Sequence, residues 1–215
     1  MLKPDLIVGW HSTFALKVLR PTDFWHKRGV NTFIARSSMI DAKPRTLANE
    51  YKDILDLGKI FDKNEMAQQL VGQMQQEVNF AISRTADYPK RPRALVLEFM
   101  GKEPSVYGEK TLAGNIVKEL HGELLAEKQR AIGLEQVVEL DPDVIFIVVT
   151  EFNYGREQDM LDRVTQHKAL KHLRCVQQGR VVALPLYAIY SSGVRTYDGI
   201  KIIATGMYPD LYKEK

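Results

Sequence analysis

Aromatic and basic residues, with a few other side chains among them, occur just after several segments whose sequence is typical of β-strands. They are Trp10, His11, Arg36, Ser37, Phe99, Met100, Tyr107, Glu151, Phe152, Asn153, Tyr154, Tyr187, Tyr190 and Arg195. Because ligands of α/β proteins bind beyond the carboxyl ends of parallel strands, we expect these side chains to converge on one cleft. Aromatic faces and guanidinium groups suit a large, flat, partly anionic ligand. The alternative is that each aromatic residue packs on its own loop.

The sequence lacks the short motifs of common catalytic and nucleotide-binding sites. It has no G-x-x-x-x-G-K-[ST], G-x-G-x-x-G, H-E-x-x-H or G-x-S-x-G motif. Its five histidines are not spaced as metal ligands, and the single cysteine, Cys175, is expected in the core before a turn and a strand. We therefore expect no catalytic residues, no metal site and no cofactor, and predict that the protein is not an enzyme.

Composition sets the broad class of the protein. The chain has 215 residues, of which 45% are hydrophobic and 27% charged, with a net charge of +3. These values are ordinary for a globular protein of one or two small domains, and the charge is too weak to indicate a nucleic-acid partner. The sequence shows no signal peptide, and it opens inside a predicted strand.

Hydrophobic patterns predict alternating strands and helices, which indicates the α/β class. The predicted strands are 5–10, 29–38, 93–100, 141–150 and 179–185. The predicted helices are 12–28 (broken by Pro21), 46–60, 64–84, 111–128, 133–140, 157–173 and a closing helix that ends at Pro209. A Pro-Asp pair precedes an apolar run both at Pro4 and at Pro142, which suggests two related lobes.

The segment 64–84 is the clearest helix, with one apolar stripe at helical spacing. At ~1.5 Å per residue it is roughly 30 Å long, about the width of a small domain. The proline-containing segment 87–93 follows it and marks the best domain boundary. We therefore predict three parts: the remainder of an N-terminal lobe at 1–62, a bridging helix at 63–88 and a C-terminal α/β lobe at 89–215.

Five stretches, in this order, resemble the substrate-binding proteins of ABC importers for iron–siderophore complexes, haem and cobalamin. They are LKPDLIV (2–8), LGKIFDKNEMAQQLVGQM (57–74), GLEQVVELDPDVIFIV (133–148), HKALKHLRCVQQGRVVALP (167–185) and YPDLY (208–212). The resemblance covers essentially the whole chain. It implies two α/β lobes bridged by one long helix, with a ligand held between the lobes.

The resemblance also implies roles for individual residues. Trp10 matches a tryptophan that contacts the ligand in cobalamin-binding relatives, Tyr107 lies in the loop of the C-lobe wall, and Glu135 matches the glutamate that docks on permease arginines. We expect Arg36 and Arg195 to neutralise an anionic metal chelate, and Trp10, Tyr107, Tyr154, Tyr187 and Tyr190 to stack on it. For Glu135, the alternative is a helix N-terminal acid favoured by the helix dipole.

The implied function is the capture of an iron complex, a siderophore or haem, and its delivery to an ABC permease. Cobalamin is the alternative ligand, and an enzyme on the same two-lobe scaffold is a rival that the single cysteine disfavours. The parent protein is expected to be extracytoplasmic, in the periplasm or as a cell-surface lipoprotein.

The sequence departs from the family pattern at two places. The family's first strand and helix are not found before LKPDLIV, and its Gly-Gly-x-Asn is replaced by His121, Gly122 and Glu123. We therefore expect a fragment with an incomplete N-terminal lobe. Such a fragment could self-associate through that lobe or no longer bind ligand.

Overall fold

Seven strands and eight helices make up the computed structural model, which describes residues 3–38, 44–85, 88, 90–101, 103–190 and 193–213. The strands are β1 (Leu6–Gly9), β2 (Asn31–Ile34), β3 (Arg93–Glu98), β4 (Ser105–Val106), β5 (Glu123–Leu124), β6 (Val144–Val149) and β7 (Val181–Pro185). The helices are α1 (Thr22–His26), α2 (Leu47–Ile60), α3 (Asn64–Thr85), α4 (Leu112–Glu119), α5 (Leu134–Leu140), α6 (Glu157–Thr165), α7 (Arg174–Gln177) and α8 (Thr196–Met207). None of the helices among these residues combines the length and the apolar character that a membrane span requires.

The strands form two separate sheets. In the first, β1 and β2 pair in parallel, with Leu6 opposite Asn31 and Gly9 opposite Ile34. In the second, the order is β4-β3-β6-β7, and β5 pairs with the start of β3. The pairs β3–β6 and β6–β7 are parallel, so the carboxyl ends of these three strands lie at one edge of the sheet.

The large sheet is buried on both faces, which explains the continuous apolar runs of its strands. Successive side chains of a strand point to opposite faces. Val144, Phe146 and Val148 belong to one core cluster, which includes residues of α3, α4 and α8. Ile145 and Ile147 belong to a second cluster, which includes residues of α5 and α6. The predicted α/β class is therefore confirmed.

Helix α3 connects the two halves of the fold. It spans 22 residues, or about 33 Å at 1.5 Å per residue, close to the predicted range. Its buried stripe contains Ala67, Val71, Met74, Val78 and Ala81. The helix packs on α2, which precedes the large sheet in the chain, and on α8, which follows the last strand of that sheet. This confirms the predicted architecture of two α/β lobes bridged by one long helix. The exact boundaries at 62/63 and 88/89 stay predictions, and residues 86, 87 and 89 lie outside the described part.

Three predicted helices were wrong in extent because local backbone geometry stops each of them. Segment 12–28 contains a 3-10 turn, His11–Phe14, and the short α1, since Arg20 adopts a left-handed conformation (φ 71°) before Pro21. Segment 111–128 is helical only to Glu119, because the chain reverses at His121 (φ 61°) into β5.

The third helix, predicted over 157–173, ends at Thr165. The backbone N–H of Ala169 donates to Nδ1 of His167, which favours a turn over a further helical turn. The short α7 then follows, and it carries Cys175 with no exposed surface. This burial confirms the predicted core position of the cysteine and raises the pKa of its thiol to about 11.

Candidate ligand-binding cleft

A cavity of about 650 Å³ lies at the carboxyl ends of β3, β6 and β7. This is the position where open parallel sheets bind ligands, and the volume is within the usual range for small-molecule sites. Residues that follow the three strands supply most of its wall. The lining consists of Glu98, Phe99, Met100, Tyr107, Val148, Thr150, Glu151, Phe152, Asn153, Met160, Leu186 and Tyr190.

Trp10, which follows β1, stacks on Tyr190 of the cavity wall. Their ring centroids are 5.1 Å apart and the ring planes differ by 16°. The turn that carries Trp10 is held by two hydrogen bonds, from the Trp10 backbone N–H to Oγ1 of Thr13 (3.0 Å) and from the His11 N–H to Oγ of Ser38 (2.8 Å). A Cβ atom at Gly9 would lie only 2.9 Å from the Thr13 side chain, so the turn requires glycine there. The stack thus connects the small sheet to the cavity of the large sheet.

Arg45 forms cation–π contacts with both rings of this pair, and the sequence analysis did not predict it. Its guanidinium carbon lies 4.4 Å from the centroid of the Tyr190 ring and 5.5 Å from that of Trp10. The backbone N–H of Arg45 donates to the carbonyl of Lys110 (3.1 Å), and the next residue, Thr46, caps α2. The sequence around Arg45 contains no predicted strand and no motif. Its place beside the aromatic pair follows only from tertiary contacts such as the hydrogen bond to Lys110.

A second aromatic group lies beyond β6 and β7. The rings of Tyr154 and Tyr187 meet edge to face at 6.0 Å. Arg195 donates from Nη2 to the Tyr187 hydroxyl (3.1 Å), and its Nε lies 2.6 Å from Oδ2 of Asp198. The hydrogen bond to Tyr187 and the charge of Asp198 raise the pKa of Arg195. Asp198 therefore balances the charge of Arg195 locally.

Tyr107 lies in the cavity wall with its hydroxyl already engaged. The hydroxyl donates to Oε2 of Glu98 at 2.7 Å, and both residues are largely buried. Burial and the Glu98 carboxylate raise the pKa of Tyr107 far above its ordinary value. Tyr107 is therefore a neutral phenol at physiological pH, and its ring is the part that a ligand can contact.

Arg36 forms ion pairs with two carboxylates of α2. Its Nη1 lies 2.5 Å from Oδ1 of Asp53 and its Nη2 lies 2.5 Å from Oδ2 of Asp56. Burial lowers the pKa of the guanidinium, but the hydrogen bonds to these carboxylates outweigh burial and raise it. Two carboxylates thus compensate one cation, and the neutralisation of a ligand by Arg36 stays a prediction.

Glu135 is exposed in the first turn of α5. Two contacts place the start of this helix near the carboxyl edge of the large sheet: Ala131 bridges to Ser105, and Ser105 pairs with Glu98 at the end of β3. Glu135 is therefore on the same side of the sheet as the cavity. Its role in docking stays a prediction.

Comparisons with known proteins agree with this geometry. A sequence profile of the family described as "Periplasmic binding protein" matches residues 1–188. The crystal structure of a periplasmic binding protein from Veillonella parvula superimposes with a TM-score of 0.92 at 42% identity, over 98% of this chain and 66% of that one. A structure titled as an ABC-type Fe3+-hydroxamate transport system from Saccharomonospora viridis superimposes with a TM-score of 0.71 at 21% identity, over 94% of this chain and 68% of that one, which shows the common fold.

A curated relative is an uncharacterised ABC transporter substrate-binding lipoprotein, YvrC, of Bacillus subtilis. It is 23% identical over 99% of this chain and 65% of its own length. The chain thus spans about two thirds of the length of this relative and of the Veillonella protein. The family match over most of the chain confirms the resemblance seen in the sequence motifs. The chain belongs to the periplasmic binding protein family, a family of substrate-binding transport proteins and not of enzymes.

Proposed function

We propose that this chain is the solute-binding component of an ABC importer, which captures an iron complex in the cleft and delivers it to the permease. Family membership supports a binding role, and the lipoprotein relative supports an extracytoplasmic location. The iron complex is a siderophore or haem, with cobalamin as the alternative ligand of the same cleft. The Fe3+-hydroxamate system among the structural neighbours supports the choice of an iron complex.

The observation that carries the proposal is the Trp10–Tyr190 stack at the 650 Å³ cavity. Trp10 follows a strand of the small sheet, and Tyr190 follows a strand of the large sheet and lines the cavity. A flat or aromatic ligand gains stacking energy when it replaces one ring as the partner of the other. Phe99 and Phe152 add further rings, and a tyrosine hydroxyl is a known type of haem-iron ligand.

Delivery requires a surface that the permease recognises after the cleft is loaded. Glu135 is an exposed carboxylate on the cavity side of the large sheet. A carboxylate that meets arginines forms short, charge-assisted and often bidentate hydrogen bonds. We therefore assign permease docking to the face around Glu135, so that loading and docking occur on the same side of the lobe.

A fluorescence titration tests the proposed binding. The chain has two tryptophans, and Trp25 lies in α1, where it packs against Phe24. A Trp25→Phe variant leaves Trp10 as the reporter, and a Trp10→Phe variant is the matched control. Haem, cobalamin, a ferric catecholate and a ferric hydroxamate form the ligand panel.

We expect one ligand class to quench Trp10 saturably in the Trp25→Phe variant and to leave the Trp10→Phe variant unchanged. Isothermal titration calorimetry of the wild type guards against optical artefacts, since haem absorbs strongly. A folded sample that gives neither quenching nor heat with any of the four ligands would overturn the proposal.

A further inference from the structure

The charges around the cleft differ in how far the protein itself compensates them. Arg36 is paired with Asp53 and Asp56, and Arg195 is paired with Asp198. Arg45 contacts two aromatic rings and has no ion-pair partner among the residues that the structure describes. We infer that Arg45, and neither Arg36 nor Arg195, selects an anionic ligand in the cleft. This inference rests on the proposed function and specifies the charge of its ligand.

The geometry of Arg45 leaves its hydrogen-bonding groups available. A guanidinium that lies over an aromatic ring uses its face for the cation–π contact, while its five N–H donors point outward around the edge. Here the guanidinium carbon is 4.4 Å from the Tyr190 ring, within the range of such a contact. A ligand that stacks on Trp10 or Tyr190 therefore brings its rim within reach of these donors.

The backbone around Arg45 supports a fixed positive position. The hydrogen bond from its N–H to the Lys110 carbonyl ties it to the large-sheet half. Thr46 is the N-cap of α2, a helix of 14 residues whose N-terminus carries partial positive charge next to the Arg45 backbone. The backbone of Arg45 is therefore anchored beside the aromatic pair, which suits a specificity-determining residue.

The lining of the cavity itself carries negative charge. Glu98 and Glu151 line it, and Glu98 already accepts the hydrogen bond of Tyr107. A negatively charged group of the ligand is repelled from this wall and attracted to Arg45. The charges thus orient the ligand, with its anionic rim toward Arg45 and its donor groups toward the carboxylates.

Two iron complexes of different charge test the inference. A ferric tris-catecholate is a trianion, and a ferric tris-hydroxamate is neutral. Their dissociation constants are measured by calorimetry at low and high salt with the wild type, Arg45→Gln and Arg45→Lys. Arg84→Gln is the matched control, since the Arg84 guanidinium lies 4.1 Å from the Phe80 ring on α3, away from the cleft lining. Unfolding temperatures verify that each variant is folded.

We expect Arg45→Gln to weaken the trianion roughly ten- to a hundredfold and to leave the neutral complex nearly unchanged. Arg45→Lys should fall between the wild type and Arg45→Gln, and Arg84→Gln should match the wild type. High salt should reduce the effect. Equal losses for both complexes, or no loss for the trianion, would overturn the role of Arg45 and leave the proposed function intact. Failure of the wild type to bind either complex, or haem or cobalamin in the same assay, would count against both.

Discussion

The indole of Trp10 stacks on the phenol ring of Tyr190 at 5.1 Å, with only 16° between the planes. Trp10 follows the first strand of the small sheet and Tyr190 follows the last strand of the large sheet. The contact therefore joins the small-sheet half to a residue of the cavity wall, and it has measurable consequences even without a ligand.

The first prediction concerns the coupling of these two rings. A double-mutant cycle of Trp10→Ala and Tyr190→Ala should give a coupling energy of about 1 kcal/mol, because stacked aromatic pairs contribute beyond the area they bury. Urea unfolding measures the four free energies. The same cycle with Trp25→Ala in place of Trp10→Ala is the control, since Trp25 packs on Phe24. A coupling near zero in the Trp10 cycle would mean that the halves are apart in solution.

The second prediction assigns Arg36 a structural role. Asp53 has a side chain only 1% exposed, so Arg36→Ala removes the guanidinium that pairs with a buried carboxylate. We expect the free energy of unfolding to fall by about 3 kcal/mol. Lys59→Ala, which removes an exposed partner of Asp56, should have little effect. Chemical denaturation measures both, and an unchanged stability of Arg36→Ala would refute the structural role.

The third prediction is a pH dependence that comes from Asp143. Burial raises the pKa of this carboxyl, but the hydrogen bonds from the Arg93 N–H (2.9 Å) and from Arg174 (2.6 Å) outweigh burial and lower the pKa below its ordinary value. Because the folded-state pKa is depressed, the stabilisation is fully present above about pH 4 and is lost as the pH falls through the folded-state pKa.

Asp143→Asn should therefore lower the free energy of unfolding by about 1–2 kcal/mol at pH 7 and have a smaller effect as the solution becomes more acidic. Unfolding curves at a series of pH values measure the difference. Asp210→Asn serves as the control, since Asp210 pairs with Lys213 on the surface and should matter little at any pH. A difference in unfolding free energy between the wild type and Asp143→Asn that stays constant across the pH series would contradict the assignment of the pH dependence to Asp143.

The fourth prediction separates ligand binding from permease docking. Glu135→Arg should abolish or strongly reduce transport of the ligand through the permease, because it places a cation against the expected arginines of the permease. Ligand affinity and the unfolding temperature should stay near those of the wild type. Glu139→Arg is the control, since Glu139 lies one turn further along α5, away from the carboxyl edge. Equal transport by both variants would exclude Glu135 as the docking residue.

Local patterns in the sequence determined most of the secondary structure. Apolar runs predicted β3 and β6, which are buried on both faces, and the partly buried edge strand β7. The helical stripe of α3 predicted its length almost to the residue. Periodicity failed where a single backbone conformation changes the direction of the chain, as at Arg20 and His121. A left-handed residue leaves no hydrophobic signal.

The sequence by itself determined the α/β class, the bridging helix, the family resemblance and the set of aromatic residues at the strand ends. Only the tertiary structure decided which of these side chains meet and which charges are compensated. Arg36 has two carboxylate partners from α2, and Arg45 contacts rings from two different sheets. These contacts join residues far apart in the chain, and their energies depend on distance and burial, which no local pattern contains.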